Sequence, residues 1–512
     1  MLIHEFLERS AERFPDKTAL VLDADRVSYQ ELNIRANRLA HALQDSGAMY
    51  GERVVVLLDN SVETVISIFG ILKSDAIFVV LNPTTKTEKL SHILNDCRAS
   101  VFMTNQSKWK VVSKAIENVP SLNTIVMVGQ ENQTFTSSIR LVQWNDFING
   151  CPDTHPTRSK AIDLDLASII YTSGTTGDPK GVMLTHQNMV AASTSITTYL
   201  ENTENDVILN VLPLSFDYGL YQILMATQFG GTVVLEKAFL YPYAIINSLK
   251  KEKITGFPIV PSISAILLQL KDLKMEPLNH VRYITSTAAP LPVSHIHGLK
   301  QIFRDAKIYS MYGLTECKRV SYLPPEELER RPTSVGKGMP NEEVYLVDEQ
   351  GHVIIEPGTI GELVVRGAHV MKGYWEQPKN TESVLRQGQY PWEKVLYTGD
   401  LFRKDEEGFL YFVSRKDDII KSRGEKVSPK EVENQLYELS DIVEAAVIGV
   451  PDEILGQAIK AYIVLKEGST VSEKEIIAHC HEHLEDFMVP KFIEFRHSLP
   501  KSPSGKIVKK GL

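Results

Sequence analysis

Runs of like charge, paired cysteines and unbroken apolar spans are all missing from this chain of 512 residues. Its 55 Lys and Arg stand against 64 Asp and Glu, a net charge of -9 that no long basic tract offsets. Nonspecific binding to nucleic acid or to an anionic membrane is thereby disfavoured. Cys97, Cys151, Cys317 and Cys480 lie far apart without metal-type spacing, which fits free thiols in a reducing cytoplasm and excludes a disulfide framework. The longest apolar stretch, residues 65–81, is broken by Ser67, Lys73, Ser74 and Asp75, and Glu5 and Glu8 stand where a secretory leader is apolar. No membrane span and no targeting segment is expected, so the expected setting is cytoplasmic and the expected partners are small molecules or proteins. Repeats and low-complexity segments are absent too. The nucleotide motifs G-x-x-x-x-G-K-[ST] and G-x-G-x-x-G occur nowhere, which excludes the P-loop of nucleoside triphosphatases and the dinucleotide fingerprint.

What is present is the composition of a globular protein, 43% hydrophobic and 23% charged, with length enough for several domains. Strand-like segments at 52–58 and 76–81 alternate with helical patterns at 28–46, 62–73 and 87–96, as in layered α/β folds with parallel sheets. Short strands and glycine turns dominate from about 343 to 412, which reads as a small barrel-like β subdomain. After Arg415-Lys416-Asp417-Asp418 the pattern becomes compact again, with helices at 429–438 and 472–484 and strands at 445–450 and 458–465. The expected fold is a large layered α/β N-terminal domain, 1–416, followed by a small α+β C-terminal domain, 417–512.

The apolar run Ile169-Ile170-Tyr171 leads into Thr172-Ser173-Gly174-Thr175-Thr176-Gly177-Asp178-Pro179-Lys180-Gly181, ahead of a helix near Asn188. Four hydroxyls, three glycines that permit close backbone approach and one lysine suit a polyphosphate cradle, although such loops are often only loops.

In the order of its residues this string resembles the signature loop of the adenylate-forming superfamily, which includes acyl-CoA synthetases, adenylation domains of nonribosomal peptide synthetases and firefly luciferase. Four further segments resemble that family's motifs in the same order: Tyr312-Gly313-Leu314-Thr315-Glu316, Tyr397-Thr398-Gly399-Asp400, Arg415-Lys416-Asp417 and Pro503-Ser504-Gly505-Lys506-Ile507. The resemblance implies ATP and Mg²⁺ as cofactors and a reaction in which a carboxylate attacks the α-phosphorus of ATP, releasing pyrophosphate and forming an acyl adenylate. It places Thr172, Ser173, Gly174, Thr175, Thr176, Gly177 and Lys180 on the β- and γ-phosphates, Thr315 on phosphate and Glu316 on Mg²⁺. A helix start with an acidic first turn is the bland alternative for Thr315 and Glu316. Asp400 is implied to accept from the ribose hydroxyls, Arg415 to reach ribose or phosphate, and Tyr312 to stack on adenine. Ser286-Thr287-Ala288-Ala289 resembles the family's small-residue strand, with Ala288 and Ala289 against the base. Lys506 is implied to sit between carboxylate and α-phosphate, where an ammonium offsets the repulsion of two anions. Asp417 is implied to be the hinge of a mobile C-terminal domain, and Gly424 to border a pantetheine tunnel in a second state that transfers the acyl group to a thiol.

For the acid, Asp217 in Leu212-Pro213-Leu214-Ser215-Phe216-Asp217-Tyr218-Gly219 is informative, because a carboxylate in an apolar pocket needs a cation. The stretch is similar to that of stand-alone ligases that load proline onto a carrier protein, which implies a substrate amine facing Asp217; alternatively, Asp217 caps a helix beginning at Tyr218. The family's layout adds Tyr218, Tyr221, Phe257, Met311, Arg319 and Val320 as pocket residues, with Cys317-Lys318-Arg319 unusual there. The chain ends six residues after Lys506, so the phosphopantetheine thiol is expected in trans, on a carrier protein or coenzyme A. The expectation is thus a ligase for a small, proline-like amino acid. A coenzyme A ligase for a small or aryl carboxylic acid and an adenylate-forming amide ligase are the alternatives. His479-Cys480-His481-Glu482-His483 places only two ligands one helical turn apart and reads as a solvated helix.

Overall fold

The computed structural model describes residues 1–48, 50–129, 139–156, 160–173, 179–239, 241–270, 278–422, 425–452, 456–484, 487–502, 506–509 and 511–512. Two large, mainly parallel sheets build the body. One runs, in spatial order, through Lys337–Gly338, Ser321–Tyr322, Lys307–Tyr312, Tyr283–Ser286, Gly256–Ile259, Val207–Asn210, Thr232–Leu235, Thr18–Leu22 and Asp25–Ser28. Its six strands from Lys307–Tyr312 to Thr18–Leu22 pair in parallel, and both flanks are antiparallel. The other runs through Gly373–Tyr374, Pro179–Thr185, Leu166–Ser173, Ile77–Val80, Arg53–Val56, Val101–Asn105, Thr124–Val128 and Arg140–Gln143.

Local sequence explains the helices between them. Ser28 accepts from Glu31 N–H at the head of Tyr29–Asp45, and Ser61 accepts from Thr64 N–H at the head of Val62–Lys73. Every residue of Val62–Lys73 except Glu63 is buried, which is why this stretch resembles a membrane segment in composition while serving as the filling between sheets. Among the described residues no helix is long and apolar enough to cross a membrane.

The expected β subdomain is an antiparallel sheet of Val353–Ile354, Glu342–Val347, Gly361–Gly367, Lys394–Lys404 and Leu385–Gln387, with Leu410–Arg415 also paired to Lys394–Lys404. A separate sheet follows, in which the hairpin Ile420–Ser422/Glu425–Val427 joins Gly456–Leu465, flanked by Ile442–Asp452 and Phe492–Phe495. Its core of Ile420, Val432, Leu436, Ile459 and Ile476 is its own. Helices Pro429–Glu438 and Glu473–His483 cover it, the second headed by a Ser472–Glu475 capping box.

Candidate active site

The expected phosphate loop connects two paired strands. Leu166–Ser173 and Pro179–Thr185 pair antiparallel with Thr172 opposite Lys180, and Thr185 then caps the helix His186–Tyr199. The return strand was not anticipated: its apolar core, Val182 to Leu184, is too short for its period to show. Lys180 Nζ stands 5.4 Å from the Tyr374 ring centroid. Thr172 is partly buried, and Ser173 is described in its backbone only; Gly174, Thr175, Thr176 and Gly177 lie outside the described residues, as does Gly424. Asp417, likewise described in backbone only, is in the short 3₁₀ turn Lys416–Asp418 that joins the two parts of the chain.

Tyr312, Ser286 and Asn210 end parallel strands of one sheet, the first two adjacent and the third beyond Gly256–Ile259, and the segments leaving them converge, at the end of a parallel sheet where ligands commonly bind. After Tyr312 the chain turns tightly and returns, with Val320 N–H bonded to Tyr312 O at 3.0 Å, and pairs as Ser321–Tyr322. Thr315 and Glu316 are therefore in a turn and start no helix. A Cβ at Gly313 would meet Lys318 O at 2.4 Å, so only glycine lets this loop close. Closing it sets Lys318 at φ 64°, and Ala288 beside it adopts φ 77°, conformations that side-chain-bearing residues rarely hold.

Tyr374 OH donates to Glu316 Oε1 at 2.8 Å. Asp400, 5% exposed, accepts from Tyr312 OH at 2.5 Å and pairs with Arg415 Nε at 3.4 Å. Burial pushes the Asp400 carboxyl above its ordinary value, with Arg415 and Tyr312 opposing. The Tyr312 ring meets Phe402 edge-on at 4.8 Å. Glu362, a residue the sequence gave no reason to single out, braces this corner by accepting from Gly399 N–H at 3.1 Å and Lys416 Nζ at 3.0 Å.

Lys506 reaches the same place from the end of the chain. Lys501 and Ile507 form an isolated antiparallel bridge, Ser502 Oγ accepts from Lys506 N–H at 3.2 Å, and Lys506 lines a cavity together with Thr315, Ala288 and Asp217. The space they enclose is small, about 40 Å³. Burial lowers the Lys506 ammonium below the ordinary lysine value and Arg415 adds to this, while Asp217, Asp400 and Glu316 pull the other way.

Asp217 is the first residue of the helix Asp217–Phe229, whose N-cap is Phe216, so it caps no helix. A Cβ at Gly219 would meet Pro213 O at 2.4 Å, which makes glycine obligatory where the preceding turn folds onto the helix. Asn60 holds that turn, bonding Leu212 O at 3.0 Å and Leu214 N–H at 3.0 Å. Asp217, expected to face a substrate amine, has a cation of the chain beside it: Lys318 Nζ lies 3.6 Å from Asp217 Oδ2, with both side chains buried. Lys318 Nζ also stands 4.5 Å from the Tyr221 ring centroid and 5.4 Å from that of Tyr218. Burial brings the Lys318 ammonium down to about 7, with Asp217 opposing and Arg319 adding to the fall.

A buried pair broken on one side leaves an unmatched charge, so Lys318→Met is expected to cost about 3 to 5 kcal/mol of stability. Adding Asp217→Leu is expected to return stability to within about 1 kcal/mol, since an apolar replacement of both partners is often neutral. Urea unfolding of the two single and the double variants checks this; additive losses would show that the two groups are not a pair.

Of the other expected pocket residues, Tyr218 and Arg319 line the cavity, whereas Tyr221, Phe257, Met311 and Val320 are not among its lining residues. Phe257 faces Phe303 at 6.3 Å within the core, Met311 Sδ accepts from Tyr199 OH at 3.1 Å, and Val320 is fully buried. Ala289 also stands outside the lining. His479 Nε2 is 3.0 Å from Gln435 O, so this histidine fastens its helix to Pro429–Glu438.

A profile of the AMP-binding enzyme family matches residues 7–375, and one of the AMP-binding enzyme C-terminal domain matches residues 431–506. A long-chain-fatty-acid–CoA ligase of Bacillus subtilis (strain 168) is 33% identical over 536 residues, covering 100% of this chain and 94% of that protein. The crystal structure of the anthranilate CoA ligase AuaEII in complex with anthranoyl-AMP is similar with a TM-score of 0.89 and 30% identity, covering 99% of this chain and 95% of that one. The o-succinylbenzoate coenzyme A synthetase of Bacillus subtilis, in complex with ATP and magnesium ion, is similar with a TM-score of 0.86 and 27% identity, over 99% and 98% of the two chains.

Proposed function

The chain belongs to the AMP-binding enzyme family of ATP- and Mg²⁺-dependent ligases that join an acid to a thiol through an acyl adenylate, and we propose that its own acid is small, polar and needs no amine. The observation that carries this reading is the Asp217–Lys318 pair, which already satisfies the carboxylate of the cavity wall. A long alkyl chain is a poor match for the same wall, because Asp217, Lys318 and Arg319 are all buried there and would lose solvent and gain nothing.

In the first half-reaction a carboxylate oxygen of the acid attacks the α-phosphorus and pyrophosphate leaves. Lys506 lies between the two anions as they approach and donates to oxygen charge that grows in the transition state. The hairpin with Thr172 and Lys180 takes the outer phosphates, Thr315 takes phosphate, Asp400 takes the ribose hydroxyls and Arg415 balances Asp400. Glu316 fits Mg²⁺: it offers carboxylate oxygen, and only the neutral Tyr374 hydroxyl bonds it in the side-chain contacts described. When bound, the ion neutralises phosphate charge. In the second half-reaction the C-terminal domain turns about Asp417, Lys506 withdraws, and a pantetheine thiol attacks the acyl carbon as AMP leaves. Coenzyme A is the favoured acceptor, and a carrier protein in trans serves the same chemistry. A second reading keeps a proline-like amino acid, because Asp217 lines the cavity; its ammonium would have to displace Lys318.

Acid-dependent exchange of labelled pyrophosphate into ATP tests this without an acceptor. Exchange is expected with small amine-free acids. Exchange confined to proline or other amino acids would return Asp217 to the role of amine anchor.

A further inference from the structure

Arg319 is 2% exposed and lines the cavity. Its Nε is buried without a hydrogen-bond partner, and among the described residues no carboxylate pairs with the guanidinium. Its nearest aromatic companion is Tyr218, whose ring centroid is 5.3 Å from Cζ. Tyr218 is itself fixed, its hydroxyl bonded to Thr285 O at 2.9 Å and Thr285 Oγ1 at 2.5 Å. An arginine cannot shed its proton to escape burial, so a buried guanidinium with no carboxylate beside it is costly unless an anion arrives to meet it.

The charges around the cavity point the same way. Among the described lining residues, Lys318, Arg319 and Lys506 supply three cations against the one anion Asp217, and Lys318 is matched to Asp217. Lys506 is assigned above to the reacting carboxylate. Of these described cations Arg319 is left over, in a buried wall, with the planar fork that receives a carboxylate through two N–H donors. A neutral carbonyl or hydroxyl would accept a hydrogen bond there but leave the charge unanswered.

We propose that Arg319 is the receptor for a second carboxylate, so that the acid activated in this cavity is a compact dicarboxylic acid, one end reacting beside Lys506 and the other held by Arg319. This inference rests on the adenylating role given above and adds the class of substrate. The reacting carboxylate loses its charge on forming the adenylate while the distal one keeps it, so Arg319 holds the acyl group through both half-reactions.

Pyrophosphate exchange with malonate, succinate and glutarate against propionate, butyrate and valerate tests the proposal on the unaltered protein. The expected result is a kcat/KM at least about 10²-fold higher for one diacid than for the monoacid of equal length, as when a site built for a polar group meets an analogue lacking it. Arg319→Met is expected to invert that preference, with the diacid loss carried by KM, and Arg319→Lys to recover part of it; thermal melts report whether each variant is folded. Preference for the monoacids in the unaltered protein, or equal loss of both classes in folded Arg319→Met, overturns the dicarboxylate assignment and leaves adenylation standing. Exchange with no acid at all, including amino and aryl acids, overturns both.

Discussion

Lys506→Ala is expected to slow adenylation by about 10³-fold or more, while transfer from a supplied acyl adenylate to thiol stays within about tenfold of the unaltered rate. One preorganised donor aimed at developing oxygen charge is worth about 10² to 10³ in rate, and an ammonium that also separates two anions stands at or above the top of that range. The asymmetry is the informative part. Lys506 lines the cavity from a tail fastened to the C-terminal sheet by the Lys501–Ile507 bridge, the Ser502 contact and the packing of Ile507, so replacing its side chain leaves the parallel sheets and their ends untouched. Single-turnover measurement of each half-reaction reads the two effects separately, and equal loss in both would make Lys506 a structural residue.

Asp400→Ala is expected to raise the KM for ATP by about 10² to 10⁴-fold with little change in the KM for the acid. Hydrogen bonds to a charged group contribute about 1.5 to 3 kcal/mol each, and the ribose offers two. The same substitution strips Tyr312 OH and Arg415 of their acceptor, at a corner where Asp400 is almost fully buried. Part of the loss is therefore disorder of the adenine side. Asp400→Asn separates the two contributions: it keeps an acceptor for Tyr312 and lacks the charge that Arg415 balances. Steady-state kinetics varying ATP and acid independently checks the prediction, and a matched rise in the KM for the acid would contradict it.

What could be read from the chain beforehand is what adjacent residues decide. Ser28, Ser61 and Ser472 each bond an N–H three residues on, so three helix starts were written locally. The motifs around Lys180, Glu316, Asp400, Arg415 and Lys506 were visible because each is a short string, and the fold brings Glu316, Asp400, Arg415 and Lys506 within electrostatic reach of one another. Partnerships between distant strings were not visible. Asp217 demanded a cation by its burial, but nothing local says whether substrate or chain provides it; Lys318 does so only because Gly313 lets its loop fold back. Tyr374 on Glu316, Glu362 on Lys416 and Asn60 on the turn before Asp217 are of the same kind, set by sheet order and not by spacing. Phe257 illustrates the converse. Its place in the family's layout pointed to the pocket, whereas its side of the strand faces Phe303 and the core.

In this chemistry a carboxylate oxygen of the acid attacks the α-phosphorus and stays with AMP when the acyl group moves to thiol. Turnover of an acid labelled with ¹⁸O in its reacting carboxylate, followed by mass spectrometry of AMP and pyrophosphate, tests it directly. The expected result is one ¹⁸O in each AMP formed and none in pyrophosphate; unlabelled AMP, or label in orthophosphate with ADP as product, would contradict it.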